Sequence, residues 1–250
     1  MGYWPVVLHV LKNSDVVLLL VDARMPEISR NSEIIRQVES RKKLRLAIVF
    51  NKIDLISKKD LEKLRGENKG SYFVTEKKKS SVKELKDYLE NLADNWNRNT
   101  LRVGIVGYPN VGKSTIINLL VSGAREKVSS VSGTTKKTKW LRTGKIRIMD
   151  SPGVIPFGDE KIRIGMTSSK DPHKIKNPER VAFRIIEYLR EHGGNVLERF
   201  YGVSKDLEED KLFLEIGRKK KYLVKGGEVD ENRTAIKIIS DWQSGKIGLK

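Results

Sequence analysis

The 250-residue chain is 38% hydrophobic and 33% charged, has no cysteine and carries a net charge of +18. The missing cysteines exclude disulfides and thiolate metal sites, and no apolar run reaches the ~18 residues that a membrane span needs. We therefore expect a globular protein with one good core, a small appendage, a heavily charged surface and no membrane partner.

The positive charge has two explanations. Such an excess repels itself and often marks a protein that binds a polyanion, whereas a lysine-rich surface is also common in heat-adapted proteins. Basic clusters favour the first explanation, and they lie at residues 41–43, 77–79, 136–137 and 219–221. Few aromatic residues lie among them, which favours contacts to a nucleic-acid backbone over base stacking.

Alternating buried strands and helices fill the first two thirds of the chain. Residues 15–22 are almost continuously apolar, as in a strand of a parallel sheet that is covered on both faces. Further strands are predicted at 44–50, 72–74, 101–106, 138–142 and 145–149, and helices at 32–41, 58–65, 81–91 and 113–121. This β-α-β alternation predicts a three-layer α/β domain over residues 1–165.

The pattern changes beyond residue 165. Residues 166–178 are polar and contain two prolines, which is typical of a linker. Apolar residues then recur at helical spacing, with one helix starting near Pro178, a second ending near Tyr201 and a third at 232–241. Residues 179–250 are therefore expected to form a small, mainly helical domain, and the basic residues in it predict RNA binding.

The strongest motif is GYPNVGKST at residues 107–115, which fits the G-x-x-x-x-G-K-[ST] pattern between a predicted strand and a predicted helix. Its glycines let consecutive backbone N–H groups face a phosphate at a helix N-terminus. Lys113 would bridge the β- and γ-phosphates, and Ser114 would bind Mg²⁺. The loop residues expected to contact the nucleotide are Asn110, Val111, Gly112, Lys113, Ser114 and Thr115.

A second motif, DSPG, occupies residues 150–153 at the end of a predicted strand. Asp150 would hold the water shell of Mg²⁺, and the N–H of Gly153 would contact the γ-phosphate and so sense it. Alone, an Asp-x-Pro-Gly segment is an ordinary turn. Its place after a strand of the same domain favours the functional interpretation.

The third motif, NKID at residues 51–54, follows the predicted strand 44–50. A carboxylate such as Asp54 can accept hydrogen bonds from guanine N1–H and from the exocyclic amine, which adenine does not present in this way. Asn51 would contact the guanine edge, and the stem of Lys52 would stack over the base. The three motifs together predict a site for GTP or GDP with Mg²⁺.

Together these motifs resemble the GTPases of the translation-factor superclass, in most of which N-K-x-D comes last. Here it comes first, and VDARMP at residues 21–26 resembles the D-A-R-x-P signature of circularly permuted GTPases of the YlqF/YawG family, the RbgA-like GTPases. The resemblance covers nearly the whole chain. It implies a permuted P-loop GTPase domain, hydrolysis of GTP, a cytoplasmic location, and binding to rRNA during maturation of the large ribosomal subunit. We expect a monomer.

The resemblance also implies roles for two further segments. The family's S-A-K loop, which backs the guanine largely through backbone N–H groups, is represented here by Thr75, Glu76 and Lys77. The family's G-T-T segment corresponds to residues 133–135, where Thr134 or Thr135 would bind Mg²⁺. Thr135 is the preferred candidate.

Slow catalysis is expected, because Val154 stands where many GTPases carry a water-orienting glutamine and the motif loops show no arginine finger. Asn110 either helps to hold K⁺ beside the β- and γ-phosphates, as in GTPases that resemble this one, or only stabilises the turn. The residues assigned to hydrolysis are Asn110, Lys113, Thr135 and Gly153. Stimulation by K⁺ or by the ribosome would supply the remaining rate.

Two other functions compete with this interpretation. A P-loop kinase or ATPase would lack NKID and DSPG. A passive rRNA-binding protein with structural GTP and negligible turnover would retain both motifs, so only a measured turnover number separates it from a GTPase.

Overall fold

The computed structural model describes residues 4–121, 139–151, 165–167 and 171–250. The chain divides into two compact units. The first comprises Met1–Asp54 and Lys58–Gly158, and the second comprises Leu55–Ser57 and Asp159–Lys250. No helix within the described ranges is long and apolar enough to cross a membrane.

The first unit is built on a sheet, whose described strands are β1 (Val16–Asp22), β2 (Arg45–Asn51), β3 (Tyr72–Phe73), β4 (Leu101–Gly107), β5 (Lys139–Thr143) and β6 (Ile146–Asp150). The strand order is β3-β2-β1-β4-β6-β5. Neighbouring strands pair in parallel, except that β5 and β6 pair antiparallel. The predicted alternation and fold class are confirmed.

The centre of this sheet is β1, which is buried along its whole length between β2 and β4. Its apolar residues line a core that continues into β4, which is why these segments lack the alternation of half-exposed strands. The chain passes from β1 to β2 and β3 on one side and then to β4 on the other. The sheet therefore has a topological switch point between β1 and β4, where α/β sheets bind their ligands.

The described helices of the first unit are α1 (Trp4–Asn13), α2 (Pro26–Ser29), α3 (Ser32–Glu39), α4 (Lys58–Glu67), α5 (Lys83–Asn95) and α6 (Lys113–Val121). The four predicted helices are present, with some ends shifted. The helices α1 and α2 were not predicted from the sequence. The apolar run in α1 is short, and such a run does not distinguish a helix from a strand by its periodicity. In the structure Val7, Val10 and Leu11 form the buried face of this helix.

The second unit contains the helices α7 (Pro178–His192), α8 (Val196–Tyr201), α9 (Glu209–Lys219) and α10 (Glu231–Gln243). Trp242 of α10 is fully buried, and its indole N–H donates to the carbonyl of Met166 at 3.0 Å. The Tyr201 hydroxyl donates to Asp241 at 3.0 Å. Met166 lies at the start of the predicted linker 166–178, so this residue is packed against α10.

Three residues that directly follow the NKID motif belong to the second unit. The N–H of Leu249 donates to the carbonyl of Leu55 at 2.7 Å, and Ile56 forms a parallel bridge with Leu249. A Cβ atom on Gly248 would lie 2.5 Å from the Leu55 carbonyl oxygen, so only glycine permits this close approach. These three residues were predicted to belong to the first domain, because their partners lie almost 200 residues further along the chain and leave no local signal.

Candidate functional site

The predicted motifs meet at one edge of the sheet. Asp22, Asn51, Gly107 and Asp150 are the last residues of four strands that run parallel to one another. Asp22 lies opposite Asn51 in the register of β1 and β2, and Leu20 lies opposite Gly107 in that of β1 and β4. Parallel strands present their carboxyl ends at a common edge, so chain order does not decide which loops become neighbours.

The phosphate loop between β4 and α6 needs its glycines. Gly107 and Gly112 have φ angles of 153° and 99°. A Cβ atom on Gly107 would lie 2.7 Å from the carbonyl oxygen of Leu20, and one on Gly112 would lie 2.0 Å from Nδ2 of Asn51. No side chain fits at either position. The loop therefore folds closely around its neighbours and leads into the N-terminus of α6.

Lys113, the first residue of α6, is buried, and its ammonium group is held by the loop itself. Nζ donates to the carbonyl of Tyr108 at 2.8 Å and to that of Gly107 at 3.2 Å. Ser114 is exposed and Thr115 is half-buried in the first turn of the helix. A lysine charge, a serine hydroxyl and the N-terminal amides of a helix are therefore gathered at one place.

Asn51 connects the guanine-reading motif to the phosphate loop. Its side chain is buried, and Nδ2 donates to the carbonyl of Val111 at 2.8 Å. The two motifs are separated by more than fifty residues in the chain, yet this contact fixes the distance between them. Any ligand held by both loops therefore finds them already positioned.

The backbone of Lys52 is left-handed, with φ at 63°, which is unusual for a residue with a side chain. Its ammonium lies 2.9 Å from Oδ2 of Asp22. Burial lowers the pKa of Lys52, and the neighbouring Asp22 carboxylate opposes that shift. The long stem of Lys52 is thus anchored at its charged end, which suits a side chain that covers a planar base.

Asp22 is held from two sides. Arg24 donates from Nε to Oδ1 at 3.0 Å and from Nη2 to Oδ2 at 2.8 Å, and both side chains are almost fully buried. Burial alone would raise the pKa of Asp22, but the Arg24 and Lys52 charges hold it well below its usual range. Asp22 and Arg24 both belong to the VDARMP segment that carries the family resemblance, and no task was assigned to them from the sequence. In the structure Asp22 pairs with both Arg24 and Lys52, so its carboxylate holds the Lys52 ammonium.

Asp54 is oriented by the loop after β3. Oγ1 of Thr75 donates to Oδ1 at 2.7 Å, and Nζ of Lys77 contacts Oδ2 at 2.8 Å. Burial would raise the pKa of Asp54, but the hydrogen bonds from Lys77 and Thr75 lower it below its ordinary value. Asp54 therefore stays an acceptor-only carboxylate throughout the neutral range. Glu76, between the two partners, is exposed.

The remaining predicted residues are described only in part. The backbone of Asp150 ends β6, one residue beyond Met149, which lies opposite Gly104 of β4. Ser151 is buried, and its hydroxyl donates to the Ile105 carbonyl. Gly153, Val154, Thr134 and Thr135 lie outside the described residues. The described part of the chain thus brings together the phosphate loop, NKID and the Thr75 loop, whereas the roles of Thr135 and Gly153 stay predictions.

The residues present fit a guanine nucleotide with Mg²⁺. The phosphate loop is glycine-dependent at the two positions where a Cβ atom would block it, and a buried lysine lies against it. An ionised carboxylate lies at the end of the neighbouring loop. The exposed Ser114 hydroxyl at the start of α6 is an oxygen donor of the kind that Mg²⁺ prefers.

Comparison with known proteins agrees with this geometry. A family model described as RsgA GTPase matches residues 7–159, and one described as 50S ribosome-binding GTPase matches residues 102–218. The chain is 37% identical over 246 residues to the uncharacterized GTP-binding protein MJ1464 of Methanocaldococcus jannaschii. That alignment covers 97% of this chain and 65% of the relative. The chain also spans 59% of GTPase grn1 of Schizosaccharomyces pombe, to which it is 31% identical over 95% of its own length.

Ribosome biogenesis GTPase A of Priestia megaterium is 30% identical to the chain, and the alignment covers 95% of this chain and 88% of that protein. Among solved structures, GNP-bound YlqF from T. maritima matches with a TM-score of 0.62 at 22% identity, over 97% of this chain and 94% of that one. The fold and the site define a P-loop GTPase domain whose guanine-reading motif precedes its phosphate loop. The chain belongs to the circularly permuted GTPase family that includes ribosome biogenesis GTPase A, as its motifs predict.

Proposed function

We propose that this chain binds GTP, hydrolyses it to GDP and phosphate, and assists maturation of the large ribosomal subunit by nucleotide-dependent binding to rRNA. The observation that carries the nucleotide part is the contact from Asn51 to the Val111 carbonyl, which joins the guanine loop to the phosphate loop. The ribosomal part is supported by the names of the relatives, which include ribosome biogenesis GTPase A and nucleolar GTP-binding protein 2.

The base is recognised, in this proposal, by Asp54, Asn51 and Lys52. Asp54 accepts from guanine N1–H and from the exocyclic amine, while Thr75 keeps its carboxylate oriented. The stem of Lys52 covers the base, because Asp22 holds its ammonium. Lys77 is largely exposed, so its contact with Asp54 adjusts more readily than that of Thr75 when a base arrives.

The phosphates lie against the loop before α6. Backbone amides and the N-terminal dipole of α6 face the β-phosphate, and Lys113 contributes its charge from within the loop. Ser114, Asp150 and Thr135 would hold Mg²⁺, which neutralises charge that develops on the phosphate oxygens. Gly153 would donate its N–H to the γ-phosphate.

Hydrolysis is proposed to be slow and to depend on K⁺ or on the ribosomal particle. The φ angle of Asn110 is 55°, a conformation that asparagine tolerates better than most residues, so a turn-forming role is physically well founded. A K⁺ role rests on the family resemblance. We expect turnover to be faster in K⁺ than in Na⁺ at equal ionic strength, and this difference to vanish in Asn110→Ala while GTP affinity is kept. Equal rates in both salts would leave Asn110 as a turn residue only.

The basic end of α9 is proposed to contact rRNA. Lys219 and Lys221 are exposed, whereas Lys220 is half-buried, with its ammonium 5.5 Å from the centre of the Tyr201 ring. Replacing residues 219–221 with alanine should therefore flatten the plot of log K against log salt by about two units. An unchanged slope would assign these lysines to the solvated surface. We further propose that the protein acts as a cytoplasmic monomer.

The turnover number, measured with and without large ribosomal subunits, tests the proposed function as a whole. We expect a slow basal rate that the subunit increases, because the motif loops lack an arginine finger. A rate that stays negligible in both conditions, with GTP still bound, would favour an rRNA-binding protein in which GTP is structural.

A further inference from the structure

A second concave surface lies at the amino edge of the same sheet. It is an open basin of about 1110 Å³. The basin is formed where α1 ends, where β1, β2 and β4 begin, and where α5 is followed by residues 96–98. Since β1 spans seven residues from this edge to Asp22, the basin lies roughly 20 Å from the nucleotide loops. We call this concave surface the basic basin.

Basic side chains dominate the lining of the basic basin. Among the described residues, seven basic side chains contribute to the lining, against a single carboxylate. That carboxylate, Asp15, is engaged by Arg102, whose Nη2 donates to Oδ1 at 2.8 Å and whose Nε donates to Oδ2 at 3.1 Å. The basic residues besides Arg102 are Lys12, Arg41, Lys42, Lys43, Arg45 and Arg98.

Most of this positive charge is not neutralised by the protein. Within the described ranges, Lys12, Lys42, Lys43 and Arg45 form no ion pair, and all four are exposed. Arg41 is held in place by Gln37, to whose side-chain oxygen it donates at 3.0 Å. Like charges gathered on a concave surface repel one another, and an anion bound among them relieves that repulsion.

The lining of the basin favours an extended polyanion. Its volume of about 1110 Å³ is close to the upper end of the roughly 300–1,000 Å³ that is usual for small-molecule pockets, but its lining is charged where such pockets are predominantly apolar. Trp96 is the one aromatic residue among the described lining residues and packs against the core of the first unit, so these residues offer no platform for a series of stacked bases. Spaced phosphates on a nucleic-acid backbone match separated exposed cations. A flat anionic bilayer would contact the rim of a concave surface but would not reach its floor, so a membrane matches the basin less well than a nucleic acid.

We propose that the basic basin is a docking site for the phosphate backbone of double-helical RNA, distinct from the nucleotide site and from the lysines at 219–221. The choice of RNA over DNA rests on the proposed function. An anion-binding surface at this place is supported by the geometry of the first unit alone. An A-form helix is recognised mainly by shape and by backbone contacts, which is the kind of recognition that a cationic concave surface provides.

The test compares two triple variants of the full-length chain. In the basin variant Lys42, Lys43 and Arg45 become alanine, and in the matched control Lys59, Lys69 and Lys83 become alanine. All three control lysines are exposed, belong to the same unit and lie outside the basin. Both variants lose three positive charges, so a difference in salt dependence between them reports where the charge is removed. The probe is a 20-base-pair RNA duplex of arbitrary sequence, titrated over a range of salt concentrations, with GTP affinity as the folding control.

We expect the basin variant to bind the duplex at least tenfold more weakly and to flatten the plot of log K against log salt by about two to three units. The control should keep the wild-type slope to within about one unit, and both variants should keep wild-type GTP affinity. Equal losses in the two variants, or wild-type binding to phosphatidylserine vesicles without binding to the duplex, would overturn the proposal.

The same titration separates this proposal from the proposed function. A basin variant that retains full RNA binding, while the 219–221 variant loses it, would overturn the basin and leave the proposed function intact. Loss in the basin variant alone would support the basin and refute the α9 contact. A wild-type chain that binds no duplex would overturn the basin even if GTP turnover were normal.

Discussion

The two edges of the central sheet carry charge in opposite ways. At the carboxyl edge, Asp22 and Arg24 are almost fully buried and paired, and Lys52 joins them. At the amino edge, the basic basin exposes Lys42 and Lys43 without ion-pair partners in the described residues. Buried paired charges hold a few atoms in one geometry, which suits recognition of one base and one phosphate chain. Exposed charges of one sign attract a polyanion without fixing its sequence.

The largest expected effect comes from removing the buried charge at the carboxyl edge. Asp22→Asn removes the carboxylate charge that pairs with Arg24 and Lys52 at a buried site, so we expect a loss of about 3–5 kcal/mol in the free energy of unfolding. Asp15→Asn is the matched control, because Asp15 also pairs with an arginine, but Arg102 is 45% exposed. The control should lose about 1 kcal/mol or less. Urea unfolding of both variants measures the difference, and equal losses would contradict the contrast between the edges.

The loss of stability at acid pH provides a second test of the buried ion pair of Asp22. The pKa of Asp22 is lowered in the folded chain, so its ion pair stabilises the protein above about pH 4, the unfolded value. That stabilisation is lost as the pH falls further toward the lower folded pKa. The wild type should therefore lose more stability on acidification than Asp22→Asn does. A variant with the same acid dependence as the wild type would show that Asp22 does not carry the effect.

The second-largest expected effect concerns the contact between the guanine-reading loop and the phosphate loop. Gly112→Ala places a methyl group 2.0 Å from Nδ2 of Asn51 in a backbone with a φ of 99°, so GTP affinity should fall about fivefold or more, as expected for 1–3 kcal/mol of overpacking. Gly144→Ala is the control, because Gly144 also has a positive φ, 53°, but open space around it. It should reduce stability while leaving GTP affinity unchanged. Equal GTP affinity in both variants would mean that the Asn51 contact does not position the phosphate loop.

The smallest effect concerns the orientation of Asp54. Thr75→Val removes the 2.7 Å hydrogen bond to Oδ1 and should weaken GTP binding about twofold to tenfold, as for one hydrogen bond of 0.5–1.5 kcal/mol. Glu76→Ala, one residue further along and exposed, should change GTP affinity little. Isothermal titration with GTP measures both. A larger loss of GTP affinity from Glu76→Ala than from Thr75→Val would mean that Glu76, and not Thr75, supports recognition of the base.

The sequence predicted the strands and the nucleotide motifs because both depend on local pattern. β1 is a continuous apolar run, and the phosphate loop is recognisable from its glycines and Lys113 alone. The junction between Asn51 and Val111 was not predictable in its details, because it joins residues that are distant in the chain. The anchoring of Lys52 by Asp22 had a usable signal, since an acidic residue at the end of a buried strand requires a partner.

The basic basin and the placement of Leu55–Ser57 were beyond the reach of sequence patterns. The cluster at residues 41–43 was visible, but only the fold brings Lys12, Arg98 and Arg102 beside it. Residues 209–219 were predicted only as part of a mainly helical domain with a basic cluster at its end, and no separate bounds were predicted for the helix α9. Leu212, Phe213 and Ile216 are buried at helical spacing, and this apolar face is the local signal that could have given those bounds.

The most direct test of the central claim is a competition experiment with GTP, XTP and ATP on the wild type and on Asp54→Asn. The wild type should prefer GTP over ATP by at least about 100-fold, because a carboxylate fixed by Thr75 accepts from two guanine donors. Asp54→Asn should shift the preference from GTP toward XTP, in which a carbonyl replaces the exocyclic amine and can accept from the new amide. A wild-type chain that binds ATP as tightly as GTP would contradict the assignment of a guanine-nucleotide site.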